Sequence, residues 1–155
     1  MRYRMLKEDE LIHFEDELKQ FLIINGVSAE DWERLNKNEP EKAIELVRLF
    51  SESVFSQLME RITHLEHRSP KQLLLFSCEK DTINLIGLRS ESPEVDFSTT
   101  DSIHTSLQSH ADKIVSFRQS KPYGKKREEE LFEMTERGCL KSSAVFFEAV
   151  LKMVE

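Results

Sequence analysis

Apolar positions in the first third of the chain recur at spacings of three and four. Leu11, Phe14, Leu18 and Phe21 mark one face of a helix from about Glu8 to Asn25. Asn25-Gly26 is a stop, because glycine tolerates the left-handed conformation that closes a helix. Ser28, with Asp31 three residues on, predicts a capped start for a second helix ending near residues 36–38. Val27 and Trp32 flank that cap as a hydrophobic staple, and Trp32 is expected to be mostly buried, pinning the short helix to its neighbours. Pro40 suits the first turn of a third helix. Ala43, Val47, Phe50, Val54, Leu58, Ile62 and Leu65 carry its period onward, and Ile44, Leu46, Leu49, Phe55 and Met59 widen the stripe. A stripe that wide predicts a helix at the centre of the domain or one that carries a dimer seam.

The pattern changes at Pro70. Residues 72–78 and 82–88 are short apolar runs joined by Glu79-Lys80-Asp81, which predicts a β-hairpin. The first run is apolar almost throughout and is expected to be central in its sheet. The cluster at 98–101 caps a short helix over 102–109, and residues 113–118 predict a third strand. After a turn at Pro122-Tyr123-Gly124, helices follow over about 126–137, stopped by Gly138, and 143–154. The expected class is α+β: N-terminal helices, then a small, mainly antiparallel sheet packed against helices. The expected organisation is a single domain over 1–155, with a helical part over 1–66 and a sheet-plus-helix part over 67–155.

Composition agrees with a folded chain. Of the 155 residues, 39% are apolar and 33% charged, with four glycines and four prolines. A chain of this length buries roughly 70% of its unfolded surface, which supplies a core without disulfides or metal. Two cysteines are too few for a disulfide scaffold. The N-terminal stretch has no apolar signal-peptide core, and no apolar run approaches the ~20 residues of a membrane span. A cytoplasmic location without membrane association is expected. The net charge of -7 works against indiscriminate binding to polyanions. It is uneven: residues 1–66 hold nine Lys/Arg against fifteen Asp/Glu, residues 67–155 thirteen against fourteen.

Candidate chemistry is sparse. His64 and His67, three apart at a helix end, could approach one metal ion, with Cys78 as a further ligand. No second pair completes such a site, and histidines near helix-terminal carbonyls explain the pattern more simply. No phosphate loop, nucleophile elbow or dinucleotide fingerprint is present. Cys78 and Cys139 read as inert thiols. The remaining signal is a basic stretch, Lys113, Arg118, Lys121, Lys125, Lys126 and Arg127, interleaved with Phe117 and Tyr123 and free of acids. Cations and rings together can hold phosphates and stack a base. The simpler explanation is a solvated surface with Phe117 facing the core, Tyr123 in the turn, and cations paired with Glu128-Glu129-Glu130.

Several short stretches carry a resemblance: Tyr3-Arg4-Met5-Leu6, Asp31-Trp32, Leu49-Phe50-Ser51, Leu65-Glu66-His67 and the apolar strand after it. Together they resemble a family of small proteins from Bacteroidota, a domain of unknown function, over most of the chain. The resemblance implies a bacterial cytoplasmic setting and brings no activity, cofactor or site. The preferred expectation is a non-enzymatic protein-interaction or assembly module without cofactor, whose partner is itself or another protein, with a homodimer narrowly ahead of a monomer. An accessory RNA- or phosphate-binding protein using 113–127 is the alternative, and a metal-dependent enzyme around His64 and His67 a weaker one.

Overall fold

A computed structural model describes residues 3–155. The chain divides into two compact units, one through Glu60 and one over Arg61–Glu155. The class is α+β, as expected, with seven α-helices and one five-stranded antiparallel sheet among the described residues.

The first unit is helical: α1 (Glu8–His13), α2 (Glu15–Ile24), α3 (Ala29–Asn38) and α4 (Pro40–Arg61). The single first helix expected over residues 8–25 is in fact two. Phe14 leaves helical geometry (φ -116, ψ 25), and its amide turns back to the Leu11 carbonyl at 3.0 Å. Each helix opens with three acids, Glu8-Asp9-Glu10 and Glu15-Asp16-Glu17. Acids favour the positive end of a helix dipole, so the second triplet marks a second N-terminus. Gly26 closes α2 with φ 79. Ser28 and Asp31 form the reciprocal cap, each side chain accepting from the other's amide at 3.2 and 3.3 Å. Trp32 is only half-buried, and α3 buries no residue fully. Most of the Trp32 surface is nonetheless covered, as expected, although the indole is not part of the fully buried core.

α4 supplies the core of this unit through Ala43, Phe50, Val54, Phe55 and Met59. The segment before α1 lies along it. Tyr3 and Leu6 are buried, and Ser51, fully buried, accepts from the Leu6 amide at 2.9 Å while donating to the Val47 carbonyl at 2.7 Å. Arg4 holds Glu10 by two hydrogen bonds of 2.7 and 3.0 Å, which pulls the Glu10 carboxyl down to about 2. α4 ends at Arg61 rather than near Leu65. Ile62 and Leu65 suit a helical period and a strand alternation equally, and pairing with the next strand decides for the strand.

In the second unit β1 (His64–Arg68), β2 (Gln72–Cys78), β3 (Thr82–Arg89), β4 (Val115–Pro122) and β5 (Leu140–Lys141) run antiparallel in the order β4-β3-β2-β1-β5. The expected hairpin is β2–β3, and β2 is the central strand. β4 begins at Val115; Lys113 lies in the 3-10 turn before it. Leu73, Leu75, Ile86 and Leu88 share one sheet face. They pack with Val95 and Phe97 of the loop after β3, with Ile103 and Leu107 of α5 (Thr100–Ser109), and with Phe147 and Val150 of α7 (Ala144–Val154). By strand alternation Phe76 and Ile83 point the other way. There they border a small cleft with Met134 and Arg137, next to α6 (Arg127–Glu136).

Gly87 sits opposite Phe117 in the β3–β4 register. A β-carbon built on Gly87 would come within 2.1–2.6 Å of the outer edge of the Phe117 ring, so glycine lets the ring lie across the strand. Arg89 covers the same ring, its guanidinium carbon 5.9 Å from the centroid. Gly87→Ala is expected to cost roughly 1–3 kcal/mol in urea unfolding, as overpacking does. In a Phe117→Ala background the same change should cost about 1 kcal/mol less, read as a double-mutant coupling. Additive effects would show that the ring does not lie there.

Candidate functional site

His64 and His67 lie on strand β1, not on a helix, and positions three apart on a strand face opposite sides of the sheet. The helical metal pair is thereby corrected. His64 packs its ring 5.4 Å from that of Phe147, and burial pushes its pKa down, with Glu148 pulling the other way. His67 approaches the backbone at Gly138 on the opposite side. Cys78 shares the His67 face, since His67 pairs with Leu74, but lies four residues along β2 from Leu74, about 13 Å. No group of three His, Cys, Asp or Glu side chains able to hold a metal occurs among the described residues. Burial raises the Cys78 thiol to about 12, partly offset by Arg127, and burial also raises Cys139. Neither thiol is a thiolate near neutral pH, so neither is an activated nucleophile.

The basic stretch is dispersed. Arg118 pairs with Ile86 and Lys121 with Ile83, so the two side chains leave opposite faces of β4. Most of the cations have an acid of their own. Lys113 binds Glu94 at 2.9 Å, Arg118 approaches Glu155 at 3.8 Å, Lys121 approaches Glu130 at 3.8 Å, and Lys125 binds Glu133. Glu94 also holds His110 at 3.1 Å, and its carboxyl is lowered chiefly by Lys113. Lys126, exposed at the N-cap of α6, makes no ion pair among the described residues. Phe117 is taken up by Gly87 and Arg89 and offers no open stacking platform.

Arg127 and Tyr123 do something the sequence did not reveal. The Tyr123 hydroxyl donates to the Glu79 carbonyl at 2.6 Å. Arg127, its side chain only 16% exposed, donates to the carbonyls of Glu79 (3.1 Å), Cys78 (3.0 Å) and Ile62. One guanidinium thus ties the start of α6 to the β2–β3 turn and to the segment entering β1. Burial is the main cause that raises the Tyr123 hydroxyl to about 12, so it stays a donor. The loose carbonyls of a strand end carry no sequence signature, which is why the clamp was illegible. Glu66 is similar: it is buried beside Leu75 and paired with Arg68, which also donates to Thr100 at 3.0 Å and covers the Phe146 ring.

Two of the stretches that suggested a family, Tyr3–Leu6 and Leu49–Ser51, touch through the Ser51 hydrogen bond. A third, around Leu65, forms β1. These are packing features, and a family model described as a family of unknown function (DUF6495) matches residues 1–155. The chain belongs to this family. No curated protein and no solved structure matches it.

The clamp separates structural from solvated cations. Arg127→Met is expected to destabilise the protein by roughly 2–4 kcal/mol, because carbonyls that lose a charged donor remain partly buried. Lys126→Ala should stay within about 0.5 kcal/mol of wild type. Guanidinium unfolding measures both, and equal effects would remove the clamp.

Proposed function

We propose that this protein is a non-enzymatic interaction or assembly module whose docking surface lies on the helical unit. The observation that supports this is the distribution of exposed apolar side chains. Among the described residues, six of the ten large ones, Ile12, Ile23, Ile24, Ile44, Leu49 and Leu58, belong to the shorter, helical unit. Ile23 and Ile24 are 68% and 84% exposed at the end of α2. A lone exposed apolar residue is ordinary; a concentration of β-branched ones on a surface that is otherwise acidic is a feature of binding surfaces. The stripe of α4 contributes less than its sequence implies. Phe55 and Met59 turn inward and Leu46 is half-buried, leaving Leu49 from that row with Ile44.

The partner in this proposal is a protein, with a second copy of the chain narrowly preferred. The setting is the bacterial cytoplasm, which suits two free cysteines, one of them buried. No helix among the described residues is long and apolar enough to cross a membrane. The polyanion alternative would draw chiefly on Lys126, with Lys125 beside it in the turn before α6 once released from Glu133. Charge reversal at both, without effect on binding to single-stranded RNA, would remove it.

Light scattering across micromolar to near-millimolar protein tests the proposal. Self-association is expected to rise with concentration and to be abolished in Ile24→Lys and Leu49→Glu, with unchanged circular dichroism because both side chains are already exposed. A monomer throughout the range withdraws the homodimer.

A further inference from the structure

The outer half of the sheet carries a cleft that the interaction proposal does not use. It has a volume of about 380 Å³ and lies between β3, β4 and α7. That is within the range of small-molecule sites. Its composition follows from the register. Asn84 pairs with Ser120 and Ile86 with Arg118, so these four side chains stand on one sheet face in two adjacent rows. On that face α7 packs against the β2 side, adding Phe147 to the core cluster with Leu151 beside it. Phe147 and Leu151, one helical turn apart, form an apolar wall, and Ile86 forms the apolar floor.

The polar groups sit on the other side. The Ser120 hydroxyl donates to the Asn84 carbonyl oxygen at 2.6 Å, which occupies the amide's acceptor and leaves its NH2 donors without a protein partner among the described residues. Arg118 brings a guanidinium to the same cleft. Its ion-pair partner is the Glu155 side chain, at 3.8 Å and with both groups more than half exposed. A pair that long and that wet is held weakly. A guanidinium presents two parallel donors that match the two oxygens of a carboxylate. Glu155 therefore acts as a resident carboxylate, loosely placed where a better one can replace it.

We propose that this cleft binds a small organic monocarboxylate with an apolar body. The carboxylate exchanges with Glu155 on Arg118 and takes a further hydrogen bond from Asn84, while the body lies against Ile86, Phe147 and Leu151. A neutral molecule of the same shape gains the wall but not the guanidinium. A dicarboxylate or phosphate gains the guanidinium but places a second charge against the wall.

The probe is octanoate, with 1-octanol as its neutral counterpart, titrated into the full chain and followed by amide chemical shifts. Octanoate is expected to saturate with a dissociation constant on the order of 1 mM, in keeping with its few heavy atoms and an open site. The shifts should centre on Asn84, Ser120 and Leu151. Octanol should bind about tenfold more weakly, the usual worth of one charge-assisted contact. R118Q, at an exposed position, should erase the difference between the two probes, and E155Q should tighten octanoate several-fold by removing the competitor. Non-saturating shifts, shifts centred elsewhere, or equal binding of octanol and octanoate to the wild type would overturn the proposal. Circular dichroism of both variants establishes that they remain folded. The outcome is independent of self-association, which is read on the helical unit.

Discussion

Burial of the β2–β3 hairpin on both faces is the constraint from which the rest of the sheet unit follows. Leu73, Leu75, Ile86 and Leu88 need cover on one side, and Phe76, Cys78 and Ile83 on the other. Each fully buried leucine or isoleucine contributes about 1.5–3 kcal/mol, so neither face can be left to water. α5 and α7 cover the first face and α6 attends the second. A helix crossing to the far face must be fastened where the chain changes sides. Arg127 and Tyr123 do this, by spending their donors on the carbonyls that the end of β2 leaves unpaired.

The same constraint explains why the basic stretch looked like a binding site. β4 is the long outer strand of the sheet, and almost all of its side chains are exposed. An outer strand with open backbone groups invites pairing with other chains, and proteins blunt such edges with cations and proline. Arg118, Lys121 and the terminal Pro122 are placed accordingly. Acids on α6 and at the chain's last residue then balance the cations. An acid-free run of cations in the sequence thus became, in the fold, an edge strand with its neutralising acids drawn from elsewhere. The cleft beside it is a by-product of the same arrangement, since α7 covers β2 and stops short of β4.

What the sequence revealed were the features decided within a few residues. Ser28 with Asp31, Gly26 and Pro40 set helix ends through local hydrogen bonds and backbone conformation, and each does so as expected. The hairpin was legible because two apolar runs were separated by three polar residues. The features settled by distant partners were not. The alternating run His64–Arg68 becomes a strand because β2 offers it an edge. The two-residue β5 exists only by pairing with Leu65 and Glu66. The break at Phe14 was within reach, since two acidic triplets announce two helix starts, but the apolar period ran through it and prevailed. For the candidate sites the limit was sharper: the metal pair failed on the element type, and the clamp uses backbone carbonyls, which are invisible in a sequence.

Native-state hydrogen exchange tests the two-sided burial of the hairpin most directly. The amides of Leu73, Leu75, Ile86 and Leu88 are expected to exchange only with global unfolding, since opening them exposes both faces. Amides of β4 not bonded to β3, and those of β5, should exchange through smaller openings at lower free energy. If amides throughout β4 are as protected as those of β2, or if β2 opens independently of α6 and α7, the hairpin is not the element on which the unit depends.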